Sequence, residues 1–211
     1  MKIAVIQATS QKGKNALLFE TARRVCGPLG HEVVNFGVFG DEDYDCSYVE
    51  TALDISLLLS SGAADFALTG CSSGQGMMLA LNSLPGVLCG YTPTPQDAYL
   101  FGRINDGNAV SLPLGLGYGW CGEVALAAIV EKLFQDPFGT GYPAGDAARK
   151  MRDTHRLKAA NAVVKRSFLE AADRLDPDLV AAALRRECVC RYVLENGKDP
   201  AVVDWLRARY K

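Results

Sequence analysis

The chain has 211 residues, 49% of them apolar and 22% charged, with a net charge of −2. This balance is typical of a globular protein, and it gives no electrostatic signal for binding nucleic acid or a membrane surface. No apolar stretch approaches the roughly 20 residues of a membrane span, and the N-terminus lacks a signal-peptide layout, so we expect a cytoplasmic protein.

Short apolar strands alternate with amphipathic helices through most of the chain. The predicted order is strand Ile3–Gln7, helix Asn15–Cys26, strand His31–Phe36, helix Val49–Ser60, strand Phe66–Thr69, helix Gln75–Leu81, strand Val87–Cys89, helix Pro95–Phe101, strand Ala109–Leu112 and helix Gly122–Phe134. Strands separated by helices pair in parallel, which predicts an α/β fold: a three-layer α/β/α sandwich around a five-stranded, Rossmann-like parallel sheet. Such sheets bind ligands at the carboxyl ends of their strands.

The last third of the chain has a different pattern. A turn-rich connector, Phe138–Pro143, precedes helical segments predicted at Leu157–Arg174, Leu179–Cys190 and Pro200–Tyr210. We therefore predict an α/β domain over residues 1–137. Residues 138–211 form a connector and helical C-terminal extension, packed on the same domain or on a partner subunit.

Seven cysteines are scattered along the chain, and no CxxC pair occurs among them. Their odd number and the absence of a secretion signal argue against a disulfide framework. The two histidines are far apart in sequence, so we expect no structural metal site. A cysteine with a special role must be identified from its surroundings.

Cys71 is the predicted catalytic residue because of the turn in which it lies. The segment Gly70-Cys71-Ser72-Ser73-Gly74-Gln75-Gly76 joins a buried strand to a helix. Backbone amides at such a turn can converge on an oxygen or an anion, and they favour a thiolate. A thiolate near C2 of a carbohydrate can act as a general base, while Ser73 and the loop amides bind the oxygen of an enediolate.

Other interpretations of the turn remain open. The cysteine could simply fill space at the end of a strand. A C-x5-R phosphatase loop is disfavoured because Met77 stands where the arginine would be. A dinucleotide site is disfavoured because the loop after the first strand lacks G-x-G-x-x-G, and a thiol hydrolase or redox protein has only the isolated cysteine in its favour.

The turn resembles the Cys-Gly-Thr-Gly-x-Gly turn of the type B ribose-5-phosphate isomerase and galactose-6-phosphate isomerase family. Four further segments are similar to family motifs, in order and approximate spacing: Asp43-Tyr44 with Tyr48, Asn82, Asn105-Asp106-Gly107-Asn108, and Arg152-Asp153-Thr154-His155-Arg156. The resemblance covers about residues 1–160, and the remaining tail exceeds the usual family length.

The resemblance implies an aldose–ketose isomerase that moves a proton between C1 and C2 through an enediol, without a metal or organic cofactor. It implies Cys71 as the base, with Ser73 in place of the family threonine. It implies that the substrate is bound by Ala8, Thr9, Ser72, Gly74, Gln75, Gly76, Asn105, Asn108, Arg152 and Arg156. Arg152 and Arg156, four residues apart, would share a helix face and grip an anion, although arginines at this spacing can also pair with nearby acids such as Asp153. It further implies a homodimer or homotetramer with shared active sites.

Two departures from the family pattern point to a shifted substrate. Ile104 stands at the position of the ring-opening histidine, and Ala8-Thr9 stand at the position of an Asp-His pair. Ile104 and Ala8 cannot transfer a proton, so either the acid comes from elsewhere, for example Asp106 or His155, or the substrate is already open. We predict an isomerase that acts on a sugar phosphate, like the ribose and galactose phosphate isomerases, or on a shifted substrate, which would be another sugar phosphate or an open-chain uronate. The alternative is a non-catalytic sugar-phosphate-binding subunit of a heteromeric isomerase.

Overall fold

Five short strands form one parallel sheet. The computed structural model describes residues 1–41 and 45–210, and its strands are β1 (Lys2–Val5), β2 (Glu32–Asn35), β3 (Phe66–Cys71), β4 (Cys89–Tyr91) and β5 (Ala109–Pro113). Their order across the sheet is β2-β1-β3-β5-β4, and all four neighbouring pairs are parallel. The predicted five-stranded α/β fold is confirmed.

Helices connect the strands and form the C-terminal part of the chain. They are α1 (Asn15–Cys26), α2 (Tyr48–Ser60), α3 (Gln75–Asn82), α4 (Pro95–Leu100), α5 (Gly122–Phe134), α6 (Ala147–Val164), α7 (Phe168–Ala172), α8 (Pro177–Ala183), α9 (Glu187–Asn196) and α10 (Pro200–Arg209). Several begin with clear capping chemistry. Ser47 and Glu50 form a capping box at the start of α2, and Asp199 caps α10 just before Pro200.

The sheet separates two apolar clusters. Ile3 and Val5 point into a cluster shared with α1 and α5, whereas Ala4 and Ile6 point into one shared with α2 and α3. This alternation follows the two-residue period of a strand. Each face of the sheet is therefore covered by helices, which gives the three layers.

The helices α7, α8 and α9 pack against α2 on one side of the sandwich, and α10 packs on α7 and α9. Phe168, Val189, Val193 and Leu206 are buried in the same cluster as the core residues of α2 and β1. In addition, the Trp205 indole donates a hydrogen bond of 3.0 Å to Asp173. The division into residues 1–137 and 138–211 remains a prediction.

The predicted bounds of the fourth strand are wrong. It was expected at Val87–Cys89 and runs from Cys89 to Tyr91. The Leu88 N–H donates a hydrogen bond of 2.8 Å to the side-chain oxygen of Asn108. In a strand, this N–H would instead bond to the backbone of the neighbouring strand. Ladder pairing begins one residue later.

The predicted helical segments of the C-terminal extension are also corrected. The segment Leu157–Arg174 is two helices, because α6 starts at Ala147 and ends at Val164, and a capping box of Ser167 and Glu170 opens α7. The segment Leu179–Cys190 is likewise interrupted between α8 and α9.

The described part of the chain has neither a membrane-spanning helix nor a cluster of metal-binding side chains. No helix in residues 1–41 and 45–210 is both long and apolar enough to cross a membrane. The same residues contain no group of three or more His, Cys, Asp and Glu side chains placed to hold a metal ion.

Candidate active site

The carboxyl ends of β1 and β3 form a topological switch point. These strands are neighbours, yet β1 connects to β2 on one side and β3 has β5 on the other. The loops that leave them therefore diverge, which opens a crevice of the kind that binds ligands in open α/β sheets. Cys71 is the last residue of β3 and therefore lies at this switch point.

Cys71 is half-buried and packs against the apolar cluster of α2 and α3, whereas most cysteines of the chain are buried. Cys26, Cys46, Cys89 and Cys190 are buried. Burial raises the pKa of Cys26, Cys89 and Cys190 to about 12, so these thiols stay protonated near neutral pH. Cys71 is thus a cysteine that a bound molecule could reach at the carboxyl edge of the sheet.

Gly74 shapes the turn that follows Cys71. Its φ is +77°, and a methyl group on its Cα would lie 2.6 Å from Cε2 of Tyr91. Its carbonyl oxygen accepts a hydrogen bond of 2.7 Å from the buried Ser111 hydroxyl. These contacts fix the direction in which α3 starts, and no side chain of Gly74 competes for the first amides of that helix.

The remaining residues of the turn are held by local contacts. The Gln75 N–H donates to Ser73 Oγ at 3.3 Å. Ser72 O accepts from the N–H groups of Gly115 and Leu116 at 3.0 and 2.7 Å, which fastens the turn to the loop after β5. At Gly76, a methyl group would contact the ring of Tyr48 at 3.5 Å, so Tyr48 lies against the start of α3.

The loop after β1 joins the same site. Thr9 exchanges two hydrogen bonds with Cys46: Cys46 N–H donates to Thr9 Oγ1 at 2.7 Å, and Thr9 N–H donates to Cys46 O at 3.0 Å. Gln11 donates from Nε2 to Ser72 Oγ at 2.9 Å. The side chain of Ala8 is only 3% exposed. Sequence reasoning missed Gln11, although its place just after the first strand was a signal.

Asn105 and Asn108 lie at the opposite edge of the sheet from Cys71. Asn108 precedes β5, whose last residue, Pro113, is paired with Cys71. At about 3.3 Å per residue, Asn108 lies roughly 16 Å from Cys71 along the strand direction. Its amide accepts from Leu88 N–H and donates to Gly86 O at 2.7 Å, so both ends are occupied by backbone groups.

Asn105 is exposed beside a cavity of about 370 Å³ that Gly90, Asp97 and Leu157 also line. The neighbouring residues tie this segment to α6, because Thr154 donates to Ile104 O and Lys158 pairs with Asp106. Asp106 therefore has a cation as its partner.

Arg152 and Arg156 lie on α6 with exposed side chains. Arg156 Nη1 is 3.8 Å from Asp153 Oδ1, a weak pair at a largely exposed position. Arg152 makes no ion pair with any residue in the described ranges. Both guanidinium groups are accessible to an anion from outside the chain.

The structure therefore brings the predicted site residues together in two groups. One group, at the carboxyl edge, contains Thr9, Cys71, Ser72, Ser73, Gly74, Gln75 and Gly76, with Ala8 buried behind it. The other, at the amino edge, contains Asn105, Asn108, Arg152 and Arg156. Asp43 and Tyr44, which carry part of the sequence resemblance, lie outside the described residues. Asn82 holds Cys89 through two hydrogen bonds of 2.9 and 3.0 Å to its backbone.

A doubly wound parallel sheet with polar groups at its switch point defines an α/β enzyme of the Rossmann-like class. Within that class, residues 10–151 match the sequence profile of the Ribose/Galactose Isomerase family. The chain belongs to this family and is a sugar isomerase. The family resemblance predicted from the turn and its four companion segments is confirmed.

Solved structures agree with the family assignment. The chain is 39% identical to a 4-deoxy-L-threo-5-hexosulose-uronate ketol-isomerase crystallised with a tartrate; the match has a TM-score of 0.94 and covers 99% of this chain and 98% of that one. A ribose-5-phosphate isomerase from Vibrio parahaemolyticus is 36% identical, with the same coverage and TM-score. The type B ribose 5-phosphate isomerase of Trypanosoma brucei shares the fold at 23% identity and a TM-score of 0.63, over 75% of this chain and 97% of that one. No curated protein sequence matches the chain significantly.

Proposed function

We propose that this isomerase acts on an open-chain uronate, with Cys71 as the base. The observation that carries the mechanism is the half-buried Cys71 at the switch point, beside a glycine-rich turn whose residue before the helix, Gly74, has no side chain to cover the amides. In an isomerase, that position suits a base next to an oxyanion site.

The proton transfer balances without any external reagent. The Cys71 thiolate takes the proton from C2 of the aldose, and the C2–H electrons form the C1–C2 double bond while O1 becomes an oxyanion. Amides of the Ser72–Gly76 segment and the Ser73 hydroxyl bind that oxyanion. The thiol then returns the proton to C1, the O2 proton moves to O1, and the product is the 2-ketose with the thiolate restored.

A uronate is favoured over a cyclic sugar phosphate by the residues that replace the ring-opening groups. Ala8 is buried and Ile104 offers only its carbonyl oxygen, which already accepts from Thr154. A substrate that arrives with a free aldehyde needs neither acid nor base for ring opening. Its carboxylate is an anion that Arg152 and Arg156 could bind in a bidentate manner. The 39% identical neighbour is a uronate ketol-isomerase, and its match includes the C-terminal extension.

The second candidate substrate is a sugar phosphate such as ribose 5-phosphate. It is favoured by the name of the neighbour from Vibrio parahaemolyticus, whose match also covers nearly the whole chain. The same Cys71 chemistry would apply. The two arginines would then bind a phosphate in place of a carboxylate.

The direct test measures deuterium uptake from D₂O during turnover of 4-deoxy-L-threo-5-hexosulose uronate and, separately, of ribose 5-phosphate. We expect deuterium at the CH2OH carbon of the product, which was the aldehyde carbon of the uronate, and no turnover of the phosphate. Cys71→Ala should lower kcat by about 10²–10⁴-fold, whereas Cys26→Ala, which removes a buried thiol from the far end of α1, should retain kcat. Full activity of Cys71→Ala would exclude the thiol base, and turnover of the phosphate alone would select the second substrate.

We also propose that a second copy of the chain completes each site, as a homodimer or homotetramer. Within one chain, the arginines and the thiol lie at opposite edges of the sheet. The helix that carries the arginines buries only Thr154 among its 18 residues, and its Leu157, Val163 and Val164 are 45%, 85% and 77% exposed. Apolar side chains exposed on a long helix are typical of a surface that packs against another chain.

Mixing two inactive variants tests the shared site. Cys71→Ala and Arg152→Gln should each be inactive alone, because each lacks one half of the site. If the halves come from different subunits, an equimolar, exchanged mixture should recover roughly a quarter of wild-type activity, since half of randomly formed dimers carry one intact site of two. Arg149→Gln, which removes a neighbouring arginine paired with Asp146, should be active alone. A mixture that exchanges subunits and stays inactive would place the whole site in one chain.

A further inference from the structure

A buried ion pair joins the C-terminal extension to α2. Arg186, in the break between α8 and α9, places Nε 3.2 Å from Oδ2 of Asp54, and the two side chains are only 4% and 1% exposed. Burying two charges is costly, and breaking such a pair by removing one partner leaves a charge without compensation. The fold therefore holds Arg186 in one defined position.

From Arg186, a series of polar contacts leads to the active site. Its Nη2 donates to Thr51 Oγ1 at 3.4 Å, and Thr51 Oγ1 lies 3.4 Å from Cys46 Sγ. The backbone of Cys46 holds Thr9 through the two hydrogen bonds described above. Two residues further, Gln11 binds the hydroxyl of Ser72, the residue after Cys71.

A second contact of the same part of the extension holds the other end of the loop between β2 and α2. Cys188 Sγ donates to Phe36 O at 3.5 Å. The ring of Tyr192 packs edge-on against Phe36, with 5.1 Å between the ring centroids. Residues 36 and 46, at the two ends of this loop, are thus both linked to residues 186–192.

We infer that Arg186 is a positioning residue for substrate binding: through Thr51 it holds Cys46, and through Cys46 it holds Thr9 and Gln11 beside the Cys71 turn. The inference rests on the proposed site at Cys71. It gives residues 186–192, beyond the helix that carries Arg152 and Arg156, a part in substrate binding without placing any of them against the substrate.

The segment that contains Arg186 is matched in some relatives and not in others. The family profile ends at residue 151, and the trypanosomal enzyme covers 75% of this chain although 97% of its own length is matched. The two neighbours at 39% and 36% identity match the extension as well. Arg186 therefore lies in a segment that the two more similar neighbours match and that the family profile does not reach.

The test is the KM and kcat of Arg186→Met with 4-deoxy-L-threo-5-hexosulose uronate, or with ribose 5-phosphate if only that is turned over. Loss of a hydrogen bond from a charged donor should raise KM roughly tenfold with kcat within about threefold. A purely structural defect would lower the folded fraction and hence the apparent kcat without changing KM. Arg191→Met, which removes an exposed pair with Glu187 in the same extension, is the matched control and should leave both constants unchanged.

Two further measurements keep the result interpretable. If Arg186→Met does not fold, the double variant Arg186→Met/Asp54→Leu removes both buried charges and still lacks the link to Thr51, so its KM should be raised equally.

Hydrogen–deuterium exchange of the peptide containing residues 45–51 needs no substrate, and it should quicken about tenfold in either variant that folds. Unchanged exchange would overturn the inference even if Cys71 is the base. Faster exchange with unchanged KM would overturn the positioning role, whereas a protein that turns over neither substrate would count against the proposed function alone.

Discussion

Gln11 donates from Nε2 to the Ser72 hydroxyl at 2.9 Å, which joins the loop after β1 to the turn after β3. These two segments leave neighbouring strands in diverging directions. The hydrogen bond therefore crosses the mouth of the crevice, and it fixes the distance between Thr9 on one side and the Cys71 turn on the other.

Gln11→Ala should weaken substrate binding with little effect on stability. A net hydrogen bond is worth about 1 kcal/mol, so we expect KM to rise about fivefold. The unfolding free energy should change by no more than about 0.5 kcal/mol, because the bond is exposed. Steady-state kinetics and urea unfolding measure the two quantities, and Gln135→Ala, at the end of α5, serves as control. An unchanged KM in Gln11→Ala would show that the bond does not order the site.

Gly74→Ala should destabilise the protein by about 2–4 kcal/mol. A left-handed backbone costs an alanine about 1–2 kcal/mol, and the new methyl group would contact Tyr91 Cε2 at 2.6 Å. Gly13→Ala is a matched control because no atom lies within 4 Å of its added methyl group. Urea denaturation of both variants measures the difference. Equal midpoints would contradict the strain expected for an alanine at position 74.

Asn108→Ala should act on stability and leave substrate binding unchanged. Both ends of the amide are bonded to the backbone of residues 86 and 88. Removing it leaves Leu88 N–H and Gly86 O without this partner, at a cost of about 1–3 kcal/mol. Kinetics and thermal unfolding together separate the outcomes. A raised KM at wild-type stability would support the sequence-based prediction that Asn108 binds substrate.

Asp54 should make stability fall as pH rises toward neutrality. Burial raises its pKa from 3.8 to about 7, against the opposing effect of Arg186. The folded protein therefore holds this proton more tightly than the unfolded chain, and the stability gained is present below pH 3.8 and lost as pH passes through about 7. Asp54 contributes at most about 1.4 kcal/mol per pH unit to the dependence of the unfolding free energy on pH.

Urea unfolding between pH 4.5 and 7.5 measures that slope. Asp54→Asn should lack the contribution of this group, whereas Asp65→Asn, at a more exposed aspartate, should keep it. If the wild type and Asp54→Asn respond to pH identically, Asp54 has the same affinity for its proton in the folded and unfolded states.

The sheet was predictable because its signals are local. Each strand is a short apolar run, and the glycine-rich turn after the third strand marked the site directly. The start of α6 was missed because an apolar stripe is the sequence signal for a helix, and only Thr154 of this helix is buried. The shift of β4 arises from Asn108, about twenty residues away in sequence, and such a long-range bond leaves no local pattern.

The sequence predicted which residues form the candidate site. It did not predict that they lie at two opposite edges of the sheet. Sequence motifs give the order of Cys71, Asn105 and Arg152 but no distances. The direction of β5 does indicate this separation. In a parallel sheet, a residue that precedes a strand lies at the opposite edge from a residue that follows a strand. The roles of Gln11 and Arg186 depend on tertiary contacts alone, 61 and 135 residues apart in sequence.

The separation of the sulfur from the guanidinium groups has a consequence for how the enzyme responds to concentration. If a second copy completes each site, as proposed, a lone chain is a folded but incomplete catalyst, and activity appears only as copies associate. Specific activity would then fall on dilution and recover on concentration, so the abundance of the protein would itself regulate the reaction.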